Sequence, residues 1–365
     1  MQLALGSVTA SCRIAPSASA AGVVAPVVEG AATASAVAGR LSLPIPGNPG
    51  GVPVPDGLAA IDTSHPDHVI GTGTPASCTS QAVVDAVSLG GIITFNCGPG
   101  RVTIVMNATA RVVNTSPIVV LDGGGRVTLS GAGQRRILYM NTCDKAQIWT
   151  TTHCQDQDQP QLTIQGLTFT QGNSTGDLVE GGGGGAVLVR GGRVSVFDST
   201  FTNNQCDSTG PDLGGGALRV LSQFQGLPVV ISTSTFNDNV CSNGAALSSI
   251  GVSWEVYNSV FTGNDAIGGG ANPARLGTPG GGSGGAIYLD GNRFMLDLAG
   301  SIVRDNTANE GGGAIFFVSN DRTGELRITS STLERNVSRG FGTAGFPGIF
   351  FLGLGAPQVS NSTIA

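Results

Sequence analysis

Three charged residues, Glu255, Asp297 and Arg327, hold equivalent positions in successive repeats of the sequence. If the repeats stack as strands, equal positions of neighbouring repeats lie about 4.8 Å apart, so the three side chains share one face. Two carboxylates at that spacing can bind Ca²⁺ or act as the nucleophile and the acid of a glycosidase, and the arginine can meet an acidic sugar. The alternative is a charge ladder on an exposed sheet, and we favour it because such ladders are common and need no ligand. We therefore expect no metal site and no cofactor, with Ca²⁺ entering only if the protein is an enzyme.

A second candidate site is a row of large apolar residues in the strands that begin with Gly-Gly-Ala. We predict the register in which Arg219 faces outward, because the other register would bury its charge without a partner. The inward row is then Val187, Leu218, Ala246, Ile287, Ile315 and Ile349, and the outward row is Leu188, Arg219, Leu247, Tyr288, Phe316 and Phe350. Contiguous exposed apolar surface usually has a partner, so Tyr288, Phe316 and Phe350 are candidates for stacking on sugar rings or for docking a protein. The alternative is cover by the chain itself, either by long corner loops or by the Val- and Pro-rich N-terminal segment.

The histidines contribute to neither candidate site. His65 and His68 precede the repeats, and His153 lies beside Cys154 in a short segment that also holds Lys145. Because no histidine stands on a repeat strand, a histidine general base on the repeats is excluded. We interpret the segment around His153 as a solvated disulfide loop.

The strands that would position these residues are visible as an internal repeat. Apolar residues stand five and seven positions before each anchor residue with an outward residue between them, and this period of two indicates a strand. A spacing of roughly 32 residues is too long for a hairpin. Without a crossover helix, each repeat closes best as one coil of a parallel β-solenoid. The anchors are Phe169, Phe201, Phe236, Phe261, Val303, Leu333 and Ile364.

An asparagine recurs three positions after most of the anchors. Asparagines that turn inward on successive coils can bond to each other's amides and satisfy buried backbone groups at a tight corner. We therefore predict a structural ladder rather than a binding site. Its members are Asn204, Asn239, Asn264, Asn306 and Asn336.

The predicted fold is all-β, a right-handed parallel β-helix with one short N-terminal capping helix. Thr79 or Ser80 can act as the N-cap of this helix, which ends at a pair of glycines. We predict a signal-like, Ala-, Pro- and Gly-rich leader or linker over residues 1–65 and the β-helix domain over residues 66–365. The domain stops inside a repeat, which suggests truncation at its C-terminus.

Cysteine spacing and composition limit the class of protein. Six of the seven cysteines fall into sequence-adjacent pairs without the spacing of a zinc site, so we expect disulfides and an oxidising compartment. Cys12 is left over, and its role stays open. A net charge of −6 argues against nucleic-acid binding, and no apolar run is long enough for a transmembrane helix. The predicted pairs are Cys78 with Cys97, Cys143 with Cys154 and Cys206 with Cys241.

The repeats resemble those of the chlamydial polymorphic outer-membrane protein family. The similarity lies in the Gly-Gly-Ala-Ile pattern around Ile287 and Ile315 and in the Phe-x-x-Asn pattern of Phe201 to Asn204. The helix and the Gly-Gly-Ile-Ile-Thr-Phe segment before the repeats are similar to secreted proteins of the pectin-lyase-like superfamily. The resemblance covers about residues 68 to 365 and implies a right-handed β-helix. It is weak for function, because that fold carries adhesins, autotransporter passengers, lyases and glycosidases.

From these features we expect an extracellular or cell-surface β-solenoid that acts as an adhesion, glycan-binding or scaffold module. Its partner would be a polysaccharide or a cell-surface protein rather than nucleic acid. Two alternatives stay open. One is a polysaccharide lyase or glycoside hydrolase that acts on an acidic polysaccharide through Glu255, Asp297 and Arg327, and the other is a self-assembling fibre subunit. The sequence leans against an enzyme, since it lacks the Asn-Thr-Asp, Asp-Asp and Gly-His-Gly set of polygalacturonases.

Overall fold

The computed structural model of the chain describes residues 51–147 and 149–365. Most of the predicted leader over residues 1–65, together with Cys12, therefore lies outside the described residues. Among the described residues, no helix is long and apolar enough to cross a membrane.

The described chain winds into stacked coils whose strands form three sheets. Strands of successive coils lie side by side and pair in parallel in all three sheets. This arrangement confirms the predicted all-β parallel β-helix. We name the strands by their place in the coil. The A and B strands share the largest sheet, the C strands form a small sheet, and the D strands, four of which directly follow Gly-Gly-Ala, form the third.

The strand bounds follow the order of the coils. The A strands are His68–Ile70, Gly91–Phe95, Arg193–Phe197, Val229–Ser232, Trp254–Tyr257, Met295–Ala299, Glu325–Thr329 and Gln358–Ser360. The B strands are Val102–Val105, Thr200–Thr202, Thr235–Asn237, Val260–Thr262, Ile302–Arg304, Thr332–Glu334 and Thr363–Ile364. Two long strands, Ile118–Ser130 and Gln161–Thr170, run through both the A and the B positions. The C strands are Val240–Cys241, Asp265–Ala266, Thr307–Ala308 and Val337–Ser338. The D strands are Ala110–Arg111, Leu138–Asn141, Val187–Arg190, Leu218–Val220, Leu247–Ile250, Ile287–Gly291, Ile315–Ser319 and Ile349–Leu352.

The predicted capping helix is Ser80–Leu89. Thr79 is its N-cap, and the Thr79 hydroxyl accepts a hydrogen bond of 3.2 Å from the backbone N–H of Ala82. The helix ends at Gly90, whose φ of +78° belongs to the left-handed region that favours glycine. One face of the helix is buried in the main hydrophobic core, so the helix joins the coils by ordinary core packing. Short 3₁₀ turns lie at Pro75–Ser77, Cys154–Asp156, Val179–Gly181 and Phe224–Gly226.

The predicted anchors align in register across the B strands. Phe201 pairs with Phe169 on one side and with Phe236 on the other, and the rings stack with centroids 4.9 Å apart. The same column begins before the aligned repeats, because Ile104 pairs with Leu129 and Leu129 pairs with Phe169. The solenoid is therefore longer at its N-terminal end than the repeat pattern indicates, since apolar residues other than phenylalanine fill the first positions of the column.

The asparagines form the expected ladder inside the corner after the B strands. Asn264 is wholly buried, and its Nδ2 donates 2.9 Å to Oδ1 of Asn306 and 3.0 Å to the carbonyl oxygen of Phe236. Its own Oδ1 accepts from the backbone N–H of Asn239 at 3.2 Å. Each amide thus satisfies backbone groups of its neighbours at a turn where no sheet ladder can do so.

A serine ladder, which the sequence interpretation did not assign, runs beside it. The hydroxyl of Ser259 accepts a hydrogen bond from the backbone N–H of Ser234 and donates to the carbonyl oxygen of Tyr257. Ser301 repeats both contacts one coil later, toward Ser259 and Ala299. Serine recurs two positions before most of the anchors in the sequence. The role of these hydroxyl groups becomes clear only from the tight turn between the A and B strands, where they bind backbone groups.

The predicted register of the D strands is wrong in one coil. Leu247, expected to face outward, pairs with Leu218 and Ile287 and belongs to the main core, and Ser248 takes the outward place instead. The Gly-Ala-Ala-Leu sequence aligns with Gly-Gly-Ala-Leu by its first glycine, Gly244, whose φ is +46°. Backbone conformation decides this alignment, because the equivalent residues Gly215 and Gly284 also have a positive φ, of +76° and +69°.

Candidate functional site

Glu255, Asp297 and Arg327 lie side by side on the outer face of three successive A strands. The strand register pairs Glu255 with Asp297 and Asp297 with Arg327. The residues that alternate with them face inward and are wholly buried, which directs the three charged side chains outward. All three are half-buried rather than freely exposed.

The Asp297 carboxyl is the unusual member of this row. Within residues 51–147 and 149–365 it makes no hydrogen bond and no ion pair, because the Arg327 guanidinium pairs with Glu325 of its own strand at 2.6 Å. Burial raises the pKa of Asp297, and the charge of Arg327 opposes that shift only in part. A half-buried carboxyl of this kind holds a proton more readily than a free aspartate and is open to an external hydrogen-bond partner.

Tyr257 lies two residues after Glu255 on the same strand. Its hydroxyl donates to Oε2 of Glu255 at 3.2 Å. Burial raises the pKa of Tyr257 to about 12, and the carboxylates of Glu255 and Asp297 add to the shift. Tyr257 therefore stays protonated at neutral pH. The row combines a neutral donor, two acidic groups in different environments and a cation, which is a set able to bind a polyhydroxylated ligand.

The outward row of the D strands is covered by the chain, so it offers no open aromatic platform. Tyr288 and Phe316 are only 0% and 2% exposed, and Phe350 is half-buried. Leu188 and Arg219, earlier in the same row, are buried as well. The expectation that these aromatic residues form an exposed face for stacking or docking is therefore wrong. Corner loops cover the row instead, as the alternative interpretation of the sequence predicts.

A hydrogen-bond cluster fastens one of these loops over Tyr288. Nδ2 of Asn272, in the loop before the D strand Ile287–Gly291, lies 2.7 Å from the Tyr288 hydroxyl, 2.9 Å from Asp290 and 2.6 Å from Asp212. Burial is the main reason that the pKa of Asp290 is raised, and the nearby charge of Asp212 adds to it. Sequence reasoning missed this cluster because its members come from three separate segments.

Glu310 pins the same loop a second time. Its carboxylate accepts two hydrogen bonds from the Arg275 guanidinium, at 2.7 and 2.6 Å, and one of 2.8 Å from the backbone N–H of Gly270. The hydrogen bonds from Arg275 lower the pKa of Glu310.

In the following coil, the ring of Phe341 packs edge-on against Phe316 and Phe350. The loops that cover the aromatic row are therefore fixed by specific contacts.

Arg219 faces outward as predicted, yet it is covered. Its guanidinium donates 2.8 Å to the carbonyl oxygen of Gly182 and 2.7 Å to that of Asp212, both in loops that fold over the D sheet. Desolvation lowers its pKa to about 10, so Arg219 keeps its charge at neutral pH. Backbone carbonyls of loops over the D sheet therefore accept hydrogen bonds from the terminal nitrogens of a guanidinium that the sequence reasoning only placed outward.

The six paired cysteines join as Cys78 with Cys97, Cys143 with Cys154 and Cys206 with Cys241. The third disulfide links consecutive coils, since Cys206 lies beside Val240 and Cys241 at the C position. The second closes the loop that carries Lys145 and His153. In the part of the chain that the structure describes, no group of three or more His, Cys, Asp or Glu side chains is placed to hold a metal ion.

Comparison of the chain with protein-family models, with curated proteins and with solved structures found no match. The chemistry of the outer faces therefore carries the functional assignment.

Proposed function

We propose that the protein is an exported β-solenoid that binds a polysaccharide along the outer face of its A strands. The observation that carries the proposal is the Asp297 carboxyl, which is half-buried, lies between Glu255 and Arg327, and makes no hydrogen bond or ion pair with the described residues. Carboxylates accept hydrogen bonds from sugar hydroxyls, and guanidinium and phenol groups donate to sugar oxygens. Successive coils repeat at about 4.8 Å, so an extended polymer can follow the row.

The place of action in this proposal is the extracellular space or the cell surface. Three disulfides support export to an oxidising compartment. The resemblance to polymorphic outer-membrane protein repeats and to pectin-lyase-like proteins supports a right-handed helix with an adhesive, glycan-binding or scaffold role. We rank the aromatic row of Tyr288, Phe316 and Phe350 below the A face as a binding surface, because loops cover its first two members.

The test is binding of the full chain to immobilised neutral and acidic polysaccharides. We expect saturable binding to at least one of them and a loss of roughly tenfold or more in affinity for Asp297→Asn or Glu255→Gln, as expected when one charged hydrogen-bonding group is removed. Glu334→Gln is the matched control, because Glu334 is also an outward, half-buried glutamate but belongs to a B strand. Equal affinity of all four proteins would exclude the A face as the site. Light scattering of the same samples tests the fibre-subunit alternative.

A hydrolytic or lyase activity at the same row is the second candidate. The raised pKa of Asp297 favours it, because a carboxyl group that holds its proton can act as the general acid beside a second carboxyl group, here that of Glu255. Release of reducing ends or unsaturated products from a bound polysaccharide, abolished in Asp297→Asn, would support the enzyme. Binding without product would leave the protein a binding module.

A further inference from the structure

Residues 51–65 precede the first strand and are attached to the coils by two side-chain amides. Gln165 donates from Nε2 to the carbonyl oxygen of Ile61 and accepts at Oε1 from the Ile61 N–H, both at 2.9 Å. Asn258 makes the same pair of hydrogen bonds with Val52, both at 2.8 Å. Among the described residues, the Asn258 amide bonds to Val52 alone, whereas the Gln165 amide has further polar neighbours.

A carboxylate and a hydroxyl complete the surroundings of the Gln165 amide. Asp122 is the register partner of Gln165 on the preceding coil. Its Oδ2 accepts a hydrogen bond of 2.9 Å from Gln165 Nε2 and one of 2.7 Å from Thr63 Oγ1. Its Oδ1 accepts one of 2.8 Å from the backbone N–H of Gly124, which fixes the orientation of the carboxylate. Because both groups bind one oxygen atom, the Thr63 hydroxyl and the Gln165 amide are neighbours.

The cluster lies almost wholly inside the protein. Gln165 is 0% exposed and Asp122 is 7% exposed, while Thr63 is half-buried. Little water reaches the amide, so the electrostatic interactions within the cluster are stronger than they would be in solvent. The hydrogen bonds also hold the hydroxyl, the carboxylate and the amide in one arrangement, which lowers the entropic cost of a reaction between them.

These groups match the parts needed for attack of a hydroxyl on an amide. A threonine hydroxyl becomes a nucleophile when an adjacent base accepts its proton, and Asp122 is placed to do so. Charge that develops on an amide oxygen is stabilised by a fixed N–H donor, and the Ile61 N–H already points at Gln165 Oε1. The nitrogen that would leave, Nε2, is bonded to the same carboxylate that would carry the proton.

We propose that Thr63 and Gln165 react to form an intramolecular ester. The Thr63 proton passes to Asp122 Oδ2, and a lone pair of Oγ1 forms a bond to Cδ of Gln165. The negative charge that develops on Oε1 is held by the Ile61 N–H. The bond from Cδ to Nε2 then breaks, its electron pair stays with the nitrogen, and Asp122 returns the proton to it. The products are one ester and one molecule of ammonia, with no change in oxidation state.

The ester would fasten residues 51–65 to the coils by a covalent bond that reducing agents do not break. Asn258 serves as an internal comparison, because it binds Val52 through the same two hydrogen bonds but has no hydroxyl or carboxylate bonded to its amide among the described residues. The inference is independent of polysaccharide binding, since the reacting groups all belong to this chain.

The test is mass spectrometry of the full chain after incubation at neutral pH. The reduced and denatured protein should weigh one ammonia less than its sequence requires, in a fraction that grows with time. Tryptic digestion should give one peptide of residues 41–101 joined to one of residues 146–190, because cleavage follows Arg40, Arg101, Lys145 and Arg190. Fragmentation of the joined peptide should place the link at Thr63 and Gln165.

Three variants separate the roles of the groups. Thr63→Val keeps the shape of the side chain without the hydroxyl and should give no joined peptide. Thr63→Ser keeps the hydroxyl and should still give it. Asp122→Asn removes the base, so the joined peptide should form at least about a hundredfold more slowly. Circular dichroism shows whether each variant is folded.

Four results would overturn the proposal. They are the absence of any joined peptide from the unmodified protein, an equal yield of joined peptide in folded Asp122→Asn, loss of ammonia that persists in Thr63→Val as the only loss observed, and conversion of Gln165 to glutamate in place of the link. The last result would mean that water, rather than Thr63, attacks the amide. None of these measurements uses a polysaccharide, so failure here is separable from failure of the polysaccharide proposal.

Discussion

Asparagine serves two purposes in this solenoid, according to its place in the coil. Inside the corner after the B strands, Asn264 is wholly buried and links Asn239 to Asn306. At the corner between the A and B strands, Asn258 points out of the coil and binds the backbone of Val52. Residue type alone therefore does not assign a role, because the same amide supports the coil in one column and recognises an extended segment in another.

Asp297→Asn should make the protein less sensitive to rising pH. The folded protein holds the Asp297 proton above the ordinary aspartate pKa of 3.8, so wild-type stability falls as pH rises from the unfolded to the folded pKa. Asparagine cannot titrate, so the variant should gain stability relative to wild type between about pH 3.5 and neutrality. Urea unfolding at both pH values measures the difference.

Asp305→Asn is the matched control for this measurement. Hydrogen bonding to Arg335 lowers the pKa of Asp305, so its contribution to stability is present at neutral pH and is lost on acidification. The control should therefore lose stability at neutral pH relative to wild type, and the loss should fade in acid. A change of the same sign in both variants would contradict the environment assigned to Asp297.

At the scale of elements, the beginning of each D strand is shaped by contact between backbones. The Cβ of an alanine at Gly216 would lie 2.7 Å from the carbonyl oxygens of Ala245 and Val240. Neither oxygen belongs to a flexible side chain, so the coils must separate to admit a methyl group. One coil carries Ala245 at this position, whereas the other coils with this pattern carry glycine.

Gly216→Ala should destabilise the protein by about 1–3 kcal/mol through this overpacking. Gly100→Ala is the control, because an added Cβ there meets no atom within 4 Å and its φ is not in the left-handed region. Denaturant unfolding of both variants gives the comparison. Equal stability of the two variants would show that the D strands accommodate a side chain at this point.

At the scale of the whole molecule, the described coils share one hydrophobic core. One continuous cluster of buried side chains runs from Ile70 near the N-terminal end to Phe351 near the C-terminal end. It includes the buried face of the capping helix. Cys78 and Cys97 belong to this core, whereas Cys206 and Cys241 form a small separate cluster with Leu213. Stability should therefore be a property of the stack, with the disulfides adding to it.

Calorimetry should show one main unfolding transition for the oxidised protein. Reduction should lower its midpoint without dividing it, because each disulfide constrains the unfolded chain and contributes at most about 4 kcal/mol. The disulfide between Cys206 and Cys241, which closes the longest loop with a sequence separation of 35 residues, should contribute most. The double variant Cys206→Ser/Cys241→Ser isolates that contribution. Two well-separated transitions after reduction would mean that the coils do not unfold together.

The parts of the protein that recur in every coil can be predicted from the amino-acid sequence. The anchor column around Phe201, the alternation that turns Asp297 outward and the ladder around Asn264 were all predictable, because an inward position has the same environment in each coil and so selects the same kind of residue. The predicted register is wrong at Leu247 because the sequence does not show that Gly244 adopts the left-handed conformation.

The segments that cover the coils are visible only in the folded chain. The loops over Tyr288 and the contact of Val52 with Asn258, 206 residues apart, have no periodic signal. Each is made once, by segments whose composition suits any solvated loop or linker. The repeat therefore dictates the architecture through identical local demands, whereas the surfaces available for binding depend on unique long-range contacts that no single stretch of sequence encodes.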